Sequence, residues 1–426
     1  MSLFVIITFL ILAFLGMPLA FSLGVSALAG LWMSGFDLAV LSPRLMNAVN
    51  SFPLMSIPLF MVAGELMLKG GIMDRLVGFA NAFIGRMRGG LAQVAIVSGA
   101  GLASVSGAAV ADASALSSTL VPSLKKQYGL GFSSGIVAAA ANLGPIIPPS
   151  GAMIVYAFMA GSSVSVGGLF MAGVVPGLIL FVALMALCWL IAWMRDYPLA
   201  GTPFSLANIL RETRRSFLVF LMPVVVIGGI VIGAFTPTEG AAIGVCYALF
   251  LGFFVTRQLK LSDLPEVLLT AAKTSALVGA MIAFASTVTF LFTIDMLPMQ
   301  LASLMKGITD SPFLFLCLIS LMLLVVGMFL ESNAAYIMLV PLFHPIALQY
   351  GIDPLHFGFI FVLNLVIGML TPPVGVVLFV VTGITGVRMG ELVRESWPFI
   401  AAMYAVLLLC MLVPSVVTWL PTWLGY

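Results

Sequence analysis

The chain has 426 residues, 62% of them hydrophobic and only 8% charged, with a formal net charge of +2 at pH 7 and a mean hydropathy of +1.24. That balance excludes an ordinary soluble protein, and so small a net charge gives no footing for nucleic-acid binding. Apolar runs near twenty residues recur along the whole length, each enough to cross about 30 Å of hydrocarbon, so an all-α polytopic membrane protein surrounded by lipid is expected.

The first apolar run extends from Leu3 to Met33, with no basic segment ahead of it that would mark a cleaved signal peptide. A polar patch with Arg44 precedes a second run, Phe52 to Leu68, and an amphipathic segment, Ile72 to Ile84, ends in Arg86 and Arg88. From Gly90 to Leu124 the chain is small and hydroxyl-rich, too soft for a lipid-facing span. A re-entrant helical hairpin turning near Ser106-Gly107 is expected there. Lys125-Lys126 follows, and then Gly144-Pro-Ile-Ile-Pro148-Pro149-Ser-Gly151 interrupts an apolar run. A span from Val166 to Trp193 leads to the polar loop Arg195 to Arg215, which divides the chain.

The second half repeats this plan. Spans near Phe217–Phe235, Ala241–Thr256 and Ser275–Ile294 precede a second hairpin, Pro312 to Leu348. A second break, Gly368-Met-Leu-Thr371-Pro372-Pro373-Val-Gly375, comes next, and a last span runs from Phe399 to Leu420. Residues repeat as well: Leu120-Val-Pro122 matches Leu339-Val-Pro341, and Gln127-Tyr-Gly129 matches Gln349-Tyr-Gly351. Asn142 and Asn364 follow at the same distance, and Asp112 falls opposite Glu331. Duplication explains so many matches in one order.

Basic residues set the orientation. With the N-terminus outside, Arg44, Arg86, Arg88, Lys125, Lys126 and the Arg195–Arg215 loop fall in the cytoplasm. Arg257, Lys260, Lys273, Arg388 and Arg394 fall there too, leaving Lys69, Arg75 and Lys306 outside or at a membrane edge. The C-terminus is then outside, and the two hairpins enter from opposite faces, so the halves are inverted.

Two adjacent prolines remove two backbone donors, so neither helix passes its break intact. Bare backbone groups in hydrocarbon cost several kcal/mol each, so such a break must be buried in protein or line a cavity. Paired breaks in two halves point to a transporter's binding site, here holding a coupling ion and a solute.

These residues carry a resemblance. Ser106-Gly-Ala-Ala-Val-Ala-Asp112, Asn142 with the Gly144–Gly151 break, Phe235-Thr-Pro-Thr-Glu239, Asp353-Pro-Leu-His-Phe-Gly358, and Asn364 with Thr371-Pro-Pro-Val-Gly375 together resemble the large membrane subunit of tripartite ATP-independent periplasmic (TRAP) transporters, over essentially the whole chain. The resemblance implies an elevator-type carrier in a bacterial inner membrane, with sodium as coupling ion and no other cofactor. It implies a small four-helix membrane partner, a periplasmic substrate-binding protein, and a carboxylate substrate such as a sugar acid (sialic acid among them) or a C4-dicarboxylate. The Ala108–Asp112 run resembles the sugar-acid branch. The expected division is scaffold over 1–89, transport half over 90–165, scaffold over 166–311, transport half over 312–387 and a last scaffold helix over 388–426.

Carbonyls freed at a break supply oxygens for a small hard cation, and half-helix N-termini offer N–H groups to a carboxylate. The ion-binding candidates are Asn142, Gly144, Pro148, Gly368, Thr371 and Pro372, with Ser104, Ser106 and Gly107 at the first tip and Gly327, Ser332 and Asn333 at the second. The substrate candidates are Ser106, Asp112, Pro149, Gly151, Glu331, Asn364, Pro373 and Gly375. Asn142 and Asn364 fit equally as clamps between a broken helix and its hairpin. Asp112 and Glu331 fit ion or proton chemistry, or helix capping. Ser114, Ser117 and Ser118 read as packing residues, Glu239 as a cap, and His344 and His356 as hydrogen-bonded structural residues. The four cysteines are scattered through apolar sequence and form no disulfide or metal pattern.

The sequence holds no nucleotide-binding Gly-x-x-x-x-Gly-Lys-Ser/Thr loop, so energy must come from ions. The competing readings are an uncoupled anion channel and an intramembrane aspartyl protease using Asp112 and Glu331. The protease lacks any Gly-Asp pair in the sequence.

Overall fold

A computed structural model describes residues 1–84, 87–200 and 205–426. Arg86 and positions 201–204 of the dividing loop lie outside the described residues. The described chain is helical nearly throughout, and seven of its helices are long and apolar enough to span a membrane.

The first apolar run is not one helix. Helix α1 (Ser2–Phe14) ends before Gly16-Met17-Pro18, and α2 (Leu19–Met33) turns back along it. Each leg rises about 20 Å, too short to span, and the Ser34 hydroxyl returns to the Met1 sulfur. After α3 (Leu41–Val49), a 3-10 turn at Phe52–Met55 runs into α4 (Ser56–Lys69), the two together long enough to span, and the amphipathic α5 (Ile72–Ile84) follows. The first hairpin is α6 (Gly90–Ser106) and α7 (Ala109–Tyr128). The first broken helix is α8 (Leu130–Ala141) and α9 (Gly151–Ala160), followed by the span α10 (Val166–Met194).

The expected loop to Arg215 is shorter, because α11 (Leu206–Val231) begins inside it and carries Arg211, Arg214 and Arg215 on helix. Helix α12 (Pro237–Phe250) starts with a capping box. Thr236 accepts from the Glu239 N–H at 3.3 Å, and Glu239 accepts from the Thr236 N–H at 2.8 Å. Then come α13 (Leu264–Ile294), the amphipathic α14 (Leu297–Ile308), and the second hairpin, α15 (Pro312–Phe329) with α16 (Ser332–Gln349). The second broken helix is α17 (Pro354–Gly368) and α18 (Val376–Thr385), and α19 (Met389–Leu412) and α20 (Ser415–Trp423) close the chain. Asp353 caps α17 through the Leu355 and His356 N–H groups, both at 2.9 Å.

Contacts fix which residues share an end of the molecule. The Arg75 guanidinium donates to the carbonyls of Arg215 and, at 2.8 Å, Val255. Lys69 pairs with Glu266 at 2.9 Å. Arg88 pairs with Asp196 and Arg195 with Glu395. Lys69 and Arg75 therefore sit with the basic residues, not at the opposite edge as expected. Arg44 moves the other way: its guanidinium lies 3.5 Å over the ring of Phe290, which is on the C-terminal part of α13, and Asp295, just past that helix's end, takes the Ser2 N–H at 2.8 Å. The cause is the α1–α2 fold-back, which leaves the chain one crossing short at Arg44. The first hairpin enters from the basic end. The second enters from the other end, where the Tyr350 hydroxyl holds the Thr309 carbonyl at 2.8 Å.

The two repeats interleave. Helix α9 packs on α16, and α18 on α7, so the second piece of each broken helix lies against the opposite repeat's hairpin. Helices α2, α4, α12 and α13 pack among themselves, whereas α10 and α19 lie against α8 and α17. Both histidines are structural: His344 bridges Tyr156 (2.9 Å) and Ser163 (2.8 Å), and His356 meets the Cys410 carbonyl at 2.8 Å.

Candidate functional site

Each hairpin tip rests on its own repeat's break because glycines allow backbone to touch backbone. Gly107 turns the first tip at φ +61°, and a Cβ there would stand 2.6 Å from the Pro149 carbonyl oxygen. At the second tip a Cβ on Gly368 would lie 2.7 Å from the Gly327 Cα. The Gly375 N–H donates to the Met328 carbonyl at 3.0 Å, so a donor freed by the break is satisfied by the hairpin. The Pro148-Pro149 and Pro372-Pro373 peptide bonds are both cis.

Both tips and both breaks bound one cavity of about 470 Å³, closed on its other side by α4 and α13. Of the expected site residues, Ser106, Gly107, Pro149, Gly151, Glu331, Ser332 and Asn333 line it. Gly151 faces open space, with nothing within 4 Å of where its Cβ would be. Helices α7, α9, α16 and α18 all begin at lining residues, Ala109, Gly151, Ser332 and Val376. Four positive dipole ends therefore converge on the cavity, which suits an anion. No lysine, arginine or histidine is among the described lining residues.

The remaining candidates stand behind this wall. Asp112 is fully buried: Oδ1 accepts the Ser106 hydroxyl, while Oδ2 has no partner among the described residues and faces Gly144, where a Cβ would come within 2.5 Å. Glu331, its counterpart in the repeat, caps α16 instead. It accepts from the Asn333 N–H (3.1 Å), the Ala334 N–H (3.3 Å) and the Asn333 side chain (2.8 Å). The Asn142 amide donates to the Val366 carbonyl at 2.9 Å, joining the two broken helices. Asn364, expected at the substrate, is instead buried as a clamp, donating to Ser320 Oγ at 2.9 Å and the Ile360 carbonyl at 3.2 Å. Ser104 and Thr371 turn their hydroxyls to carbonyls of their own helices, Gly101 at 2.7 Å and Ile367 at 2.8 Å. Pro148, Gly327, Gly368, Pro372, Pro373 and Gly375 likewise shape the break and tip without lining the cavity. Asp112 Oδ2 and Asn142 Oδ1 are buried oxygens without partners among the described residues, the donor chemistry a hard cation takes.

Three polar lining residues escaped the sequence reading. Ser114, read as packing, faces the cavity, whereas Ser117 is buried and Ser118 turns back to the Ser114 carbonyl at 2.9 Å. Glu65 and Thr274 come from α4 and α13. The signal for Glu65 was present: an acid inside an apolar span is a functional candidate by default.

The sequence pattern of the family described as "Tripartite ATP-independent periplasmic transporter, DctM component" matches residues 6–416. The C4-dicarboxylate TRAP transporter large permease protein DctM of Pseudomonas aeruginosa is 39% identical, covering 95% of this chain and 94% of that one. The sialic acid TRAP transporter large permease protein SiaM of Vibrio cholerae is 37% identical, covering 97% of each. The crystal structure of the Alcanivorax borkumensis YdaH transporter superposes with a TM-score of 0.62 at 14% identity, over 91% of this chain and 89% of that one, a likeness of fold alone.

Proposed function

The chain belongs to the family of DctM components of tripartite ATP-independent periplasmic transporters, and on that premise we propose that it carries an organic acid anion inward, driven by sodium. The carrying observation is that two hairpin tips and two broken helices, entering from opposite ends, meet at one cavity. Inverted gates around a single site are what alternating access requires, and a continuous pore is not. As its family is, this chain is a transporter component and not an enzyme.

In this reading the hairpins and broken helices move together as the transport unit against α2, α4, α12 and α13. The anion's carboxylate docks among the four helix N-termini near Ser106, Gly151, Ser332 and Asn333. Sodium enters behind the tips, taking oxygens such as those of Asp112 and Asn142. One charge crossing 100 mV contributes about 2.3 kcal/mol, so two net charges would concentrate a solute roughly a thousandfold. The relatives support the substrate class, one being a C4-dicarboxylate protein and the other a sialic acid protein, at similar identity. The Ala108–Asp112 run favours a sugar acid.

The family's tripartite make-up supports two partners, a small four-helix membrane subunit and a periplasmic protein that delivers the solute. Placing the basic end in the cytoplasm puts both termini in the periplasm of a bacterial inner membrane. The cavity lining on α4 and α13 then extends through Leu68 and Ala271 toward the cytoplasm. Uptake by the reconstituted three-part complex, with and without a sodium gradient, tests the reading. Sodium-driven accumulation is expected, and equal uptake without sodium would refute the coupling.

A further inference from the structure

Two carboxylates line the cavity, and they are not alike. Glu331 is satisfied in place by three hydrogen-bond donors at the α16 N-terminus, two backbone N–H groups and the Asn333 side chain. Glu65 also lines the cavity but accepts no hydrogen bond from any described residue. Its nearest cation, Lys69, is one helical turn away and held by both oxygens of Glu266 at 2.9 Å. The remaining neighbours do not compensate it. Of the elements packed on α4, both α6 and α9 direct only uncharged residues at the cavity, and α12 contributes none of its described lining. Ser106 at the first tip is spent on Asp112, α13 offers Thr274 and Glu266, and Asp74 and Arg75 of α5 face Gln258 and Arg215. Among the described lining residues Glu65 is thus the carboxyl that no donor satisfies, at the end where the cavity runs toward the basic side.

We propose that Glu65 is a release-side repulsion residue. It is a fixed carboxylate that the anionic cargo meets only when the transport unit faces the basic side, and it lowers the cargo's affinity there. This rests on the reading of the chain as an anion carrier. An elevator moves the tip and break residues past α4, so Glu65 acts on one of the two access states and not the other. Like charges a few ångströms apart in a partly water-excluded cavity separate the two affinities by roughly tenfold. Protonating Glu65 removes the repulsion, so acid on the basic side strengthens cargo binding from that side.

The test uses the reconstituted three-part complex in vesicles of known orientation, with substrate KM measured separately from each face. In the wild type, acidifying the basic-side compartment from about pH 8 to about pH 5 lowers that face's KM about tenfold. E65Q has the low basic-face KM at every pH and an unchanged KM at the opposite face, while E65D behaves as the wild type. A wild-type basic-face KM that ignores pH would overturn the proposal even if E65Q did not fold. An E65Q effect equal on both faces would overturn it too. Absence of any sodium-driven transport by the wild type would instead strike the carrier reading itself.

Discussion

The Asn142 side chain donates to the Val366 carbonyl at 2.9 Å, tying the first broken helix to the second across 224 residues of sequence. Both groups are buried beside the breaks, where neither finds water. This bond holds the two inverted repeats in register at the level of the site. N142A is expected to orphan the carbonyl and cost about 1–3 kcal/mol. Thermal unfolding of the purified protein reads this directly, and an unchanged midpoint would show that the tie carries no weight.

Glycine is required where tip meets break, and not where the break meets the cavity. G327A or G368A forces a methyl into backbone and is expected to destabilise by about 1–3 kcal/mol. G151A, pointing into open space, should leave the unfolding midpoint near that of the wild type while narrowing the cavity. Comparing the three midpoints, and the uptake of G151A, checks both halves of the statement.

Asp112 places a carboxyl behind the first tip, one oxygen of which has no partner among the described residues. D112N keeps an acceptor for the Ser106 hydroxyl but cannot become the anion that a bound cation pairs with. The sodium concentration giving half-maximal uptake is expected to rise about tenfold, the scale of losing one charged partner. Sodium titration of uptake by reconstituted complex measures it, and an unaltered curve would place the ion elsewhere.

At the other end of the molecule, the Ser2 N–H donated to Asp295 holds that half-buried carboxyl below its usual range. A depressed carboxylate stabilises above its unfolded pKa, and this contribution disappears as pH falls through the folded value. Anchoring of α1 should therefore be full above about pH 4 and weaken below it. Amide exchange at Ser2–Phe4, followed against pH, should show this loosening in the wild type and none in D295N, which is loosened throughout.

Much of the architecture was legible in the chain. Composition forced a membrane protein, the paired Pro-Pro breaks located two fractured helices, and the small, hydroxyl-rich Gly90–Leu124 stretch marked a hairpin with its turn at Gly107. Glu239 and both histidines took the roles that their neighbours implied. Hydropathy, by contrast, counts apolar residues and not direction, so Leu3–Met33 read as a crossing when it folds back on itself. That error displaced Arg44, Lys69 and Arg75 to the wrong ends.

What the sequence determined by itself was the list of parts: apolar helices, proline fractures, glycine contact points and their duplication, all properties of local chemistry. Which polar groups face the cavity was decided only by packing. Asp112 and Glu331 align in the repeat, yet one is sealed behind a tip and the other caps a helix at the wall. Asn364 retreats to clamp Ser320 while Ser114 and Glu65 come forward. A side chain's partner depends on which helix lies across from it, and that helix is set by packing: Asn364 finds Ser320 in its own repeat, whereas Asn142 finds the Val366 carbonyl 224 residues away in the other.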